Sequence, residues 1–542
     1  MSPEHEINGV NTQIMAVLLH ELIFETADCQ PDQPALQYKS ETLTYHELAE
    51  RIKDVSFALM GLGIDRSERV AIYLPKCLEN VIAIFGALAA GATFVPVNPV
   101  LKPHQVCHIL RDCNARLLIT TPVKLKSLQE TMVDCVDLTD LVLVDDQGET
   151  DPSGYNQHLM TWESFSDQCS PCATHPVVAS DLAALIYTSG STGEPKGVAL
   201  SHHNMVVGAR SVAGYLRNTA SDRILVVLPL SFDYGLSQLT TAFLVGATAV
   251  LINYLLPMEV LNTLVQERIT GLATVPPLWN LLVQLSWPLG IAQQLRYITS
   301  SGGVMPVKTT ERLRQVLPNT EIYLMYGLTE AFRSTYLPPD QVSRRPNSIG
   351  IAIPNAEILV LRPDGTPCDA DEPGELVHRG PLVALGYWND EAATRQRFRS
   401  FPPDIDGPPN RERAVWSGDI VKRDRQGYLY FIGRHDDLIK TSGFRVSPNE
   451  IEAIVHASGL VEEVVALGIP HATLGQSIAL IVVPKKGESL TEEQLINACK
   501  RHFATYMMPA RVEFRTRITT NANGKLDRKQ LARELMESST DV

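Results

Sequence analysis

Apolar residues recur along this chain in two patterns that alternate, helical spacing and short continuous apolar runs. Residues 44–47 have the form of a helix capping box, and apolar side chains follow at helical spacing over 48–59 until Gly61 ends the helix. The short apolar runs 70–74 and 93–97 then predict buried strands with a helix between them. Similar strand-like runs return at 223–229, 247–252, 271–275 and 321–325. This alternation predicts an α/β fold in which helices cover largely parallel sheets.

The pattern of apolar residues changes after Gly433, where the predicted helices and strands become shorter. A chain of 542 residues is too long for one hydrophobic core, and about a hundred residues suffice for a small domain. We therefore predict a large N-terminal domain, 1–433, and a small, mobile α+β domain, 434–542. Two polar, turn-rich stretches, 145–180 and 395–413, are predicted to be surface loops.

The composition and charge of the chain disfavour several classes of function. The chain has 61 Asp and Glu against 47 Lys and Arg, a formal net charge of −14, and no dense basic run. Nucleic-acid binding is therefore disfavoured, because it needs a basic surface. The first 13 residues lack the features of a secretory signal, so we expect a cytoplasmic protein. The longest uncharged apolar stretch, 81–97, contains glycine and proline and indicates a buried helix and strand rather than a membrane span.

The segment 185–198 carries the strongest chemical signal. A strand-like run enters a loop of hydroxyls and glycines with one lysine, and a second strand-like run leaves it. Converging backbone N–H groups, hydroxyl donors and a lysine charge make a cradle for a polyphosphate. No Walker A pattern can be read here, which disfavours a P-loop NTPase; a flexible Ser/Gly linker is the alternative. The cradle residues are Thr188, Ser189, Gly190, Ser191, Thr192, Gly193 and Lys196.

The string YTSGSTGEPKGV in this segment resembles the phosphate-binding loop of the ANL superfamily of adenylate-forming enzymes. That superfamily includes acyl-CoA and aryl-CoA synthetases, peptide-synthetase adenylation domains and firefly luciferase. Further matching strings follow in family order at 326–330, 416–419, 433–440 and 523–527. The strings LPLSFDYGLSQLTTAF and YGLTEAFRSTYLPP look most like the acyl-CoA ligases associated with exosortase A.

The resemblance implies a reaction and its participants. An ATP-dependent, AMP-forming ligase joins a carboxylic acid to the α-phosphate of MgATP, releases pyrophosphate and passes the acyl group to a thiol. The acceptor is CoA or the phosphopantetheine of an acyl carrier protein. Three alternatives stay open: a fatty or aryl acyl-CoA synthetase without amine recognition, a luciferase-like oxygenase, and a nucleotide-binding scaffold that has lost catalysis.

On the nucleotide side, the resemblance assigns four principal side chains. Tyr326 offers a face for adenine, Thr329 a hydroxyl for the α-phosphate, and Glu330 a carboxylate for Mg²⁺. Asp419 matches the carboxylate that accepts both ribose hydroxyls. Without the resemblance, Tyr326 and Glu330 would be read as a core aromatic and a solvated acid. Further nucleotide contacts implied by the resemblance are Gly302, Gly303, Gly327 and Arg434.

The C-terminal residues take their roles from the same family. Asp436 falls at the hinge about which the small domain rotates between the two half-reactions. Lys525 matches the lysine that bridges substrate carboxylate and α-phosphate during adenylation. Lys440 and Gly443 match groups on the opposite face, beside the path of the pantetheine arm. The catalytic residues implied in this way are Thr188, Glu330, Lys440 and Lys525.

The acid pocket is read from two further pairs of residues. Phe232 and Asp233 match the Phe-Asp pair of amino-acid-activating domains, in which the carboxylate binds the substrate amine; the alternative is that Asp233 caps a helix beginning near Gly235. Phe332 and Arg333 are expected to line the pocket or its rim, where Arg333 binds a second carboxylate or forms a surface ion pair. With Gly303, these residues form the predicted substrate-binding set.

Overall fold

The computed structural model describes residues 16–146, 150–167, 175–189, 194–400, 413–434, 438–485, 489–518 and 528–537. The α-helices of these residues are α1 (Glu21–Cys29), α2 (Tyr45–Gly61), α3 (Leu78–Ala89), α4 (Pro103–Asp112), α5 (Pro122–Leu128), α6 (Trp162–Ser166), α7 (His202–Leu216), α8 (Asp233–Leu244), α9 (Pro257–Gln266), α10 (Pro276–Leu282), α11 (Ile291–Gln294), α12 (Val307–Val316), α13 (Glu391–Arg397), α14 (Pro448–Ala457), α15 (Glu492–Cys499) and α16 (Arg528–Glu537).

The strands of the described residues form four sheets. They are β1 (Pro34–Tyr38), β2 (Glu41–Thr44), β3 (Arg69–Ile72), β4 (Thr93–Pro96), β5 (Ala115–Thr120), β6 (Asp140–Leu143), β7 (His158–Thr161), β8 (Leu182–Ser189), β9 (Pro195–Ser201), β10 (Arg223–Val226), β11 (Thr248–Leu251), β12 (Gly271–Thr274), β13 (Tyr297–Ser300), β14 (Glu321–Tyr326), β15 (Thr335–Leu337), β16 (Ile351–Ala352), β17 (Glu357–Leu361), β18 (Gly374–Arg379), β19 (Gly386–Tyr387), β20 (Phe398–Ser400), β21 (Arg413–Arg423), β22 (Leu429–Arg434), β23 (Ile439–Thr441), β24 (Phe444–Val446), β25 (Val461–His471), β26 (Gly475–Pro484) and β27 (Arg511–Phe514).

Two large sheets form the body of the protein. One has the strand order β19-β9-β8-β4-β3-β5-β6-β7 and the other the order β16-β15-β14-β13-β12-β10-β11-β1-β2. Their central pairs are parallel, and antiparallel pairs occur towards the edges, as between β8 and β9. The predicted α/β fold with largely parallel sheets is confirmed.

Helices between these sheets bury one continuous apolar core. Leu48 and Ile52 from α2, Phe85 from α3 and Phe243 from α8 are fully buried in it. The rings of Phe85 and Phe243 meet edge to face with centroids 5.4 Å apart, a favourable geometry for aromatic pairs. The predicted capping box is present, since Thr44 and Glu47 satisfy each other's backbone N–H groups at the start of α2.

The two stretches predicted to be loops contain regular structure, so that prediction is wrong in part. Within 145–180 lie β7 and α6, and within 395–413 lie the end of α13 and strand β20. β7 forms the outer edge of its sheet by pairing with β6 alone. An edge strand tolerates polar side chains on its open side, which hides the alternation expected of a strand.

A third, smaller sheet joins the body to the C-terminal part. Its strands β17, β18, β21 and β20 pair antiparallel, and β22 pairs with β21. Within this pairing Asp419 lies directly opposite Arg434. No helix of the described residues is both long enough and apolar enough to span a bilayer.

The C-terminal part has its own sheet and core. Strands β24, β23, β26 and β25 pair in that order, β27 pairs with β26, and α14, α15 and α16 accompany them. Ile451, Val464 and Leu480 belong to an apolar cluster of this part alone. It is the expected α+β unit; the boundary between 433 and 434 stays a prediction, because Asp436 lies outside the described residues.

Candidate active site

A cavity of about 470 Å³ lies where residues of all four sheets meet. Thr188 at the end of β8, Tyr326 at the end of β14, Phe431 on β22 and Lys440 on β23 all line it. A second cavity, of about 430 Å³, shares Lys440 with the first. Segments far apart in sequence thus converge on one place, and most of the predicted site residues that the structure describes lie there.

The strands that flank the hydroxyl-rich segment, β8 and β9, pair antiparallel. Thr188 lies on the cavity wall. The Nζ of Lys196 lies 2.8 Å from the carboxylate of Asp390, and this bond is the main cause that lowers the pKa of Asp390. Lys196 is therefore held on β9 by an ion pair. Gly190, Ser191, Thr192, Gly193 and the side chain of Ser189 lie outside the described residues.

Tyr326 and Asp419 join two sheets beside the cavity. The Tyr326 hydroxyl donates to Oδ2 of Asp419 at 2.5 Å, and both residues are buried. The backbone N–H of Asp419 also donates to the Ser417 hydroxyl at 3.0 Å. A bond to a charged acceptor is among the stronger hydrogen bonds in proteins, so this contact fixes the carboxylate relative to the aromatic ring.

Glu330 is a buried carboxylate, 5% exposed, close to the cavity residue Thr329. Its Oε1 accepts from the Tyr387 hydroxyl at 2.7 Å, whereas Oε2 has no hydrogen-bond partner among the described residues. Burial raises the pKa of Glu330, but Arg397, Arg445 and the Tyr387 bond outweigh it, so that the pKa lies below its usual value. The carboxyl is therefore charged at neutral pH.

The donor chemistry of Glu330 fits Mg²⁺. This ion prefers oxygen ligands and is usually held by one or two carboxylates together with substrate phosphates and water. The uncommitted Oε2 atom supplies such a ligand. The described residues contain no cluster of three or more His, Cys, Asp or Glu side chains suited to a metal, which agrees with an ion held mainly by substrate phosphates and water.

Glycines bring backbone close to the cavity at two places. Gly302 has φ +82°, a conformation that L side chains rarely adopt, and it lines both cavities together with Gly303. At Gly327 a Cβ would lie 3.1 Å from the Arg333 Cα atom, so a side chain would crowd the chain that follows Glu330. Arg434 has its backbone in β22 opposite Asp419, and its side chain lies outside the described part of the chain.

On the acid side, Phe232 and Asp233 line the cavity. Helix α8 begins at Asp233 itself, and the residue in the N-cap position is Phe232, which makes no side-chain cap. The alternative that Asp233 caps a helix beginning near Gly235 is therefore wrong. Burial raises the pKa of Asp233, and nearby Arg333 opposes that shift. No Lys, Arg or His nitrogen of the described residues lies within 4 Å of this carboxylate.

Phe332 and Arg333 lie in different surroundings, although they are neighbours in sequence. Arg333 lines the cavity and is 2% exposed, so it is not part of a surface ion pair. Phe332 is fully buried behind the cavity, and the space beside Gly208 is so tight that a Cβ there would lie 2.5 Å from the Phe332 ring. The prediction that Phe332 lines the pocket is wrong, because adjacent residues in this turn point to opposite sides.

The C-terminal part inserts the β23–β24 hairpin into the cavity. Phe444 meets Phe232 edge to face at 5.2 Å and stacks on Tyr506 at 3.7 Å. Arg445 Nη2 donates to the Gly327 carbonyl at 3.4 Å. Lys440 Nζ lies 4.5 Å from the centroid of the Phe431 ring. This hairpin therefore reaches the described part of the site. Lys525 lies outside the described residues.

Three residues at the site were missed by the sequence reasoning. Tyr387 bonds Glu330, and Glu450 accepts from Gln105 at 2.9 Å across the junction of the N-terminal and C-terminal parts. Tyr506 completes the aromatic stack. A carboxylate two residues after Pro448 reads as an ordinary first-turn helix residue, and no spacing rule links the three to the motifs. Only the fold brings them together.

Comparison with known proteins identifies the family. A family model described as AMP-binding enzyme matches residues 23–388, and one described as AMP-binding enzyme C-terminal domain matches residues 450–525. This chain belongs to the AMP-binding enzyme family, which confirms the resemblance drawn from its motifs.

Relatives extend along the whole chain. A long-chain-fatty-acid–CoA ligase of Salmonella typhimurium is 32% identical over 551 aligned residues, covering 95% of this chain and 94% of the relative. A linear gramicidin synthase protein of Brevibacillus parabrevis is 30% identical over 95% of this chain, which spans 6% of that protein. A long-chain-fatty-acid–CoA ligase and a linear gramicidin synthase are thus both similar to this chain.

Solved structures agree with the fold. The o-succinylbenzoate CoA synthetase MenE of Bacillus subtilis, bound with its product analogue OSB-NCoA, has a TM-score of 0.79 at 25% identity, covering 94% of this chain and 97% of that one. ATP-bound MatB of Rhodopseudomonas palustris has a TM-score of 0.68 at 26% identity, covering 97% and 100%. The protein is an AMP-forming acid–thiol ligase that uses ATP.

Proposed function

We propose that this ligase activates a carboxylic acid that also carries an ammonium group. The observation that carries the proposal is the position of Asp233: its carboxylate lines the cavity in the first turn of α8, beside the backbone N–H of Tyr234, and has no ion-pair partner within 4 Å among the described residues. A partly buried carboxylate is costly unless a cation approaches it. A substrate ammonium group supplies that cation and is selected for the same reason.

For the nucleotide we assign roles to the residues that converge at the cavity. The hydroxyls and glycines from Thr188 to Gly193, with Lys196, would hold the phosphates; Tyr326 would stack on adenine; Asp419 and Arg434 would bind the ribose. Thr329 would donate to the α-phosphate. What supports these roles is that Thr188, Tyr326 and Thr329 line one cavity and that Tyr326 is already bonded to Asp419.

Adenylation requires charge to be balanced at the α-phosphate. Mg²⁺ held by Glu330 would neutralise phosphate charge when bound. The acid carboxylate attacks the α-phosphorus, the bond to the leaving pyrophosphate breaks, and acyl-AMP forms. We propose that Lys525 supplies the cation that bridges the acid carboxylate and the α-phosphate in this step. The buried, charged state of Glu330 supports its part in the scheme.

Thioester formation follows a rotation of the C-terminal domain about Asp436. In the orientation of this structure the β23–β24 hairpin reaches the cavity, and Lys440 and Gly443 line both cavities. The second cavity has apolar walls that include Pro276, Ile432 and Leu467. We assign it to the pantetheine arm, which CoA and a carrier protein share. Rates of acyl transfer to CoA, free pantetheine and a loaded carrier protein measure which acceptor is used.

A second candidate is a fatty acyl-CoA synthetase without amine recognition. The 32% identity to a long-chain-fatty-acid–CoA ligase favours it. Against it, an alkyl chain in the described cavity would bury Asp233 and Arg333 beside apolar atoms without supplying a counter-charge.

Substrate-dependent exchange of labelled pyrophosphate into ATP separates the candidates. The panel pairs each amino acid with the acid that lacks the amine, and includes α-amino, β-amino and fatty acids. We expect the amine-bearing member of a pair to be preferred, and Asp233→Asn to remove that preference. Stronger exchange with fatty acids, unaltered in Asp233→Asn, would establish the second candidate instead. Lys525→Ala should lose adenylation yet still use preformed acyl-AMP.

A further inference from the structure

Arg333 is a buried cation in the wall of the cavity. Its side chain is among the largest fully buried ones in the described residues, with 2% of the residue exposed. It follows the short turn that carries Glu330 and reaches the same cavity as Asp233. A guanidinium remains charged at any physiological pH, so this position holds a positive charge away from bulk water.

The protein meets only part of the bonding capacity of this guanidinium. Nη1 donates to the Ser301 hydroxyl at 3.1 Å, and the guanidinium carbon lies 4.6 Å from the centroid of the Tyr234 ring. Nε is buried with no hydrogen-bond partner among the described residues. No carboxylate oxygen of those residues lies within 4 Å of the guanidinium, although Asp233 is near enough to interact electrostatically.

The surroundings do not supply the missing partner. The Tyr234 hydroxyl is engaged with the Thr299 hydroxyl at 2.6 Å. Ser231, also on the cavity wall, has a buried hydroxyl with no partner among the described residues. An unpaired buried donor costs free energy, and a buried unpaired charge costs more, so a site of this kind is completed by a ligand.

We propose that Arg333 binds a second carboxylate of the acid substrate, the one that is not activated. The planar fork of a guanidinium matches the two oxygens of a carboxylate and bonds them in pairs. This inference rests on the proposed adenylation function and adds to it: with Asp233 binding the ammonium group, the substrate class is an amino-dicarboxylic acid. Arg333 and Asp233 then balance each other's charge around a zwitterionic end of the substrate.

The test is a square of four five-carbon acids that differ only in the two groups at issue: pentanoate, norvaline, glutarate and glutamate. The square is repeated with the four-carbon acids butyrate, 2-aminobutyrate, succinate and aspartate. The readout is kcat/KM for pyrophosphate exchange. In the wild type we expect each dicarboxylate to exceed its monocarboxylate partner by about tenfold to a hundredfold.

Variants test whether Arg333 causes this preference for dicarboxylates. Arg333→Gln should reduce the dicarboxylate-to-monocarboxylate ratio to near one, and Arg333→Lys should restore part of it, because a point charge replaces the fork. Asp233→Asn is the matched comparison and should reduce the amine ratio to near one while the dicarboxylate ratio stays well above one. A dicarboxylate ratio near one in the wild type, or one unaltered in Arg333→Gln, overturns the proposal.

The two proposals fail in different ways. Loss of the amine preference with the dicarboxylate ratio intact contradicts the role of Asp233 only, whereas absence of exchange with every acid contradicts the adenylation scheme. Each variant is checked for a wild-type melting profile and ATP binding. If Arg333→Gln does not fold, the wild-type thermal shift with a non-hydrolysable ATP analogue decides: glutarate must stabilise more than pentanoate, and equal shifts overturn the inference.

Discussion

The nucleotide side and the acid side of the cavity differ in how their polar groups are satisfied. On the nucleotide side the protein pairs three carboxylates with its own donors: Asp419 with Tyr326, Glu330 with Tyr387, and Asp390 with Lys196, although Glu330 Oε2 keeps no partner among the described residues. On the acid side Asp233 has no ion pair within 4 Å among the described residues, and the Nε of Arg333 has no hydrogen-bond partner there.

This difference separates the shared chemistry of the family from the individual specificity of the chain. Groups that bond one another hold their positions before a ligand arrives, which is the preorganisation that charge stabilisation requires. Groups that the protein leaves incompletely paired depend on the ligand, and they therefore discriminate strongly between ligands that do and do not complete them. Changes on the two sides should accordingly affect rate and selectivity separately.

The largest effect is expected from breaking the nucleotide side at Glu330. Glu330→Gln keeps the shape but removes the charge that faces the phosphates, so pyrophosphate exchange should fall by about a hundredfold or more with every acid. The concentration of Mg²⁺ that gives half-maximal exchange should rise. Selectivity among acids should stay unaltered, because the acid-side residues are untouched.

Tyr387→Phe provides the graded comparison. It removes the 2.7 Å hydrogen bond to Glu330 but leaves the carboxylate, so we expect a loss of about tenfold at most. Equal losses in the two variants, or a Glu330→Gln enzyme with near wild-type exchange, would show that the charge of Glu330 does not act in adenylation.

The next largest effect is expected at Gly443, which lies in the β23–β24 hairpin and lines both cavities. Its φ is +84°, and a Cβ there would lie 2.9 Å from Val275 Cγ1, so Gly443→Ala should keep the hairpin from seating. Transfer from preformed acyl-AMP to CoA should fall by about a hundredfold, as for other small misplacements of reacting groups. Pyrophosphate exchange should stay within about twofold of wild type, because we assign the hairpin to the second half-reaction.

The matched control is Gly427→Ala. Gly427 has φ +89° but nothing within 4 Å of the position of a Cβ, so it reproduces the backbone strain without the clash. If both alanine variants lose thioester formation alike, strain rather than seating of the hairpin is responsible.

The same division explains what could be predicted from sequence. Short apolar runs alternating with helical spacing predicted the parallel sheets, and helical spacing after a capping box predicted α2, because those patterns reflect burial along one segment. The nucleotide residues could be predicted because they follow strand ends in short recognisable strings. Thr188, Tyr326 and Thr329 line one cavity, Asp419 is bonded to Tyr326, and the roles of these residues stay predictions.

The acid side could not be predicted to the same depth. Whether Asp233 caps a helix depends on a start two residues earlier than the pattern indicated, and only the folded structure shows it. Phe332 and Arg333 are neighbours in sequence, yet the turn sends one into the core and the other to the cavity. Glu450 and Tyr506 reach the site only through the docking of the C-terminal part, which no local pattern encodes.

The smallest expected effect concerns that docking and its dependence on pH. Glu450, in the first turn of α14, accepts from Gln105 of α4 at 2.9 Å and lies beside Tyr506. Burial raises the pKa of Glu450 to about 7, opposed by the Gln105 bond. A raised carboxyl pKa means that the docked orientation holds its proton more tightly, so docking is favoured below the ordinary pKa and weakens as pH rises through 7.

We therefore compare the rate of thioester formation in the wild type with the rate in Glu450→Gln. The wild-type rate divided by the variant rate should fall by up to about tenfold between pH 6 and pH 8. Taking the ratio removes the common dependence on ionisation of the acceptor thiol. Pyrophosphate exchange, which belongs to the other orientation, should show no such trend and serves as the internal control. A ratio that is flat or rises with pH would mean that Glu450 carries no proton in the docked state, and that its bond to Gln105 is maintained as a charged contact.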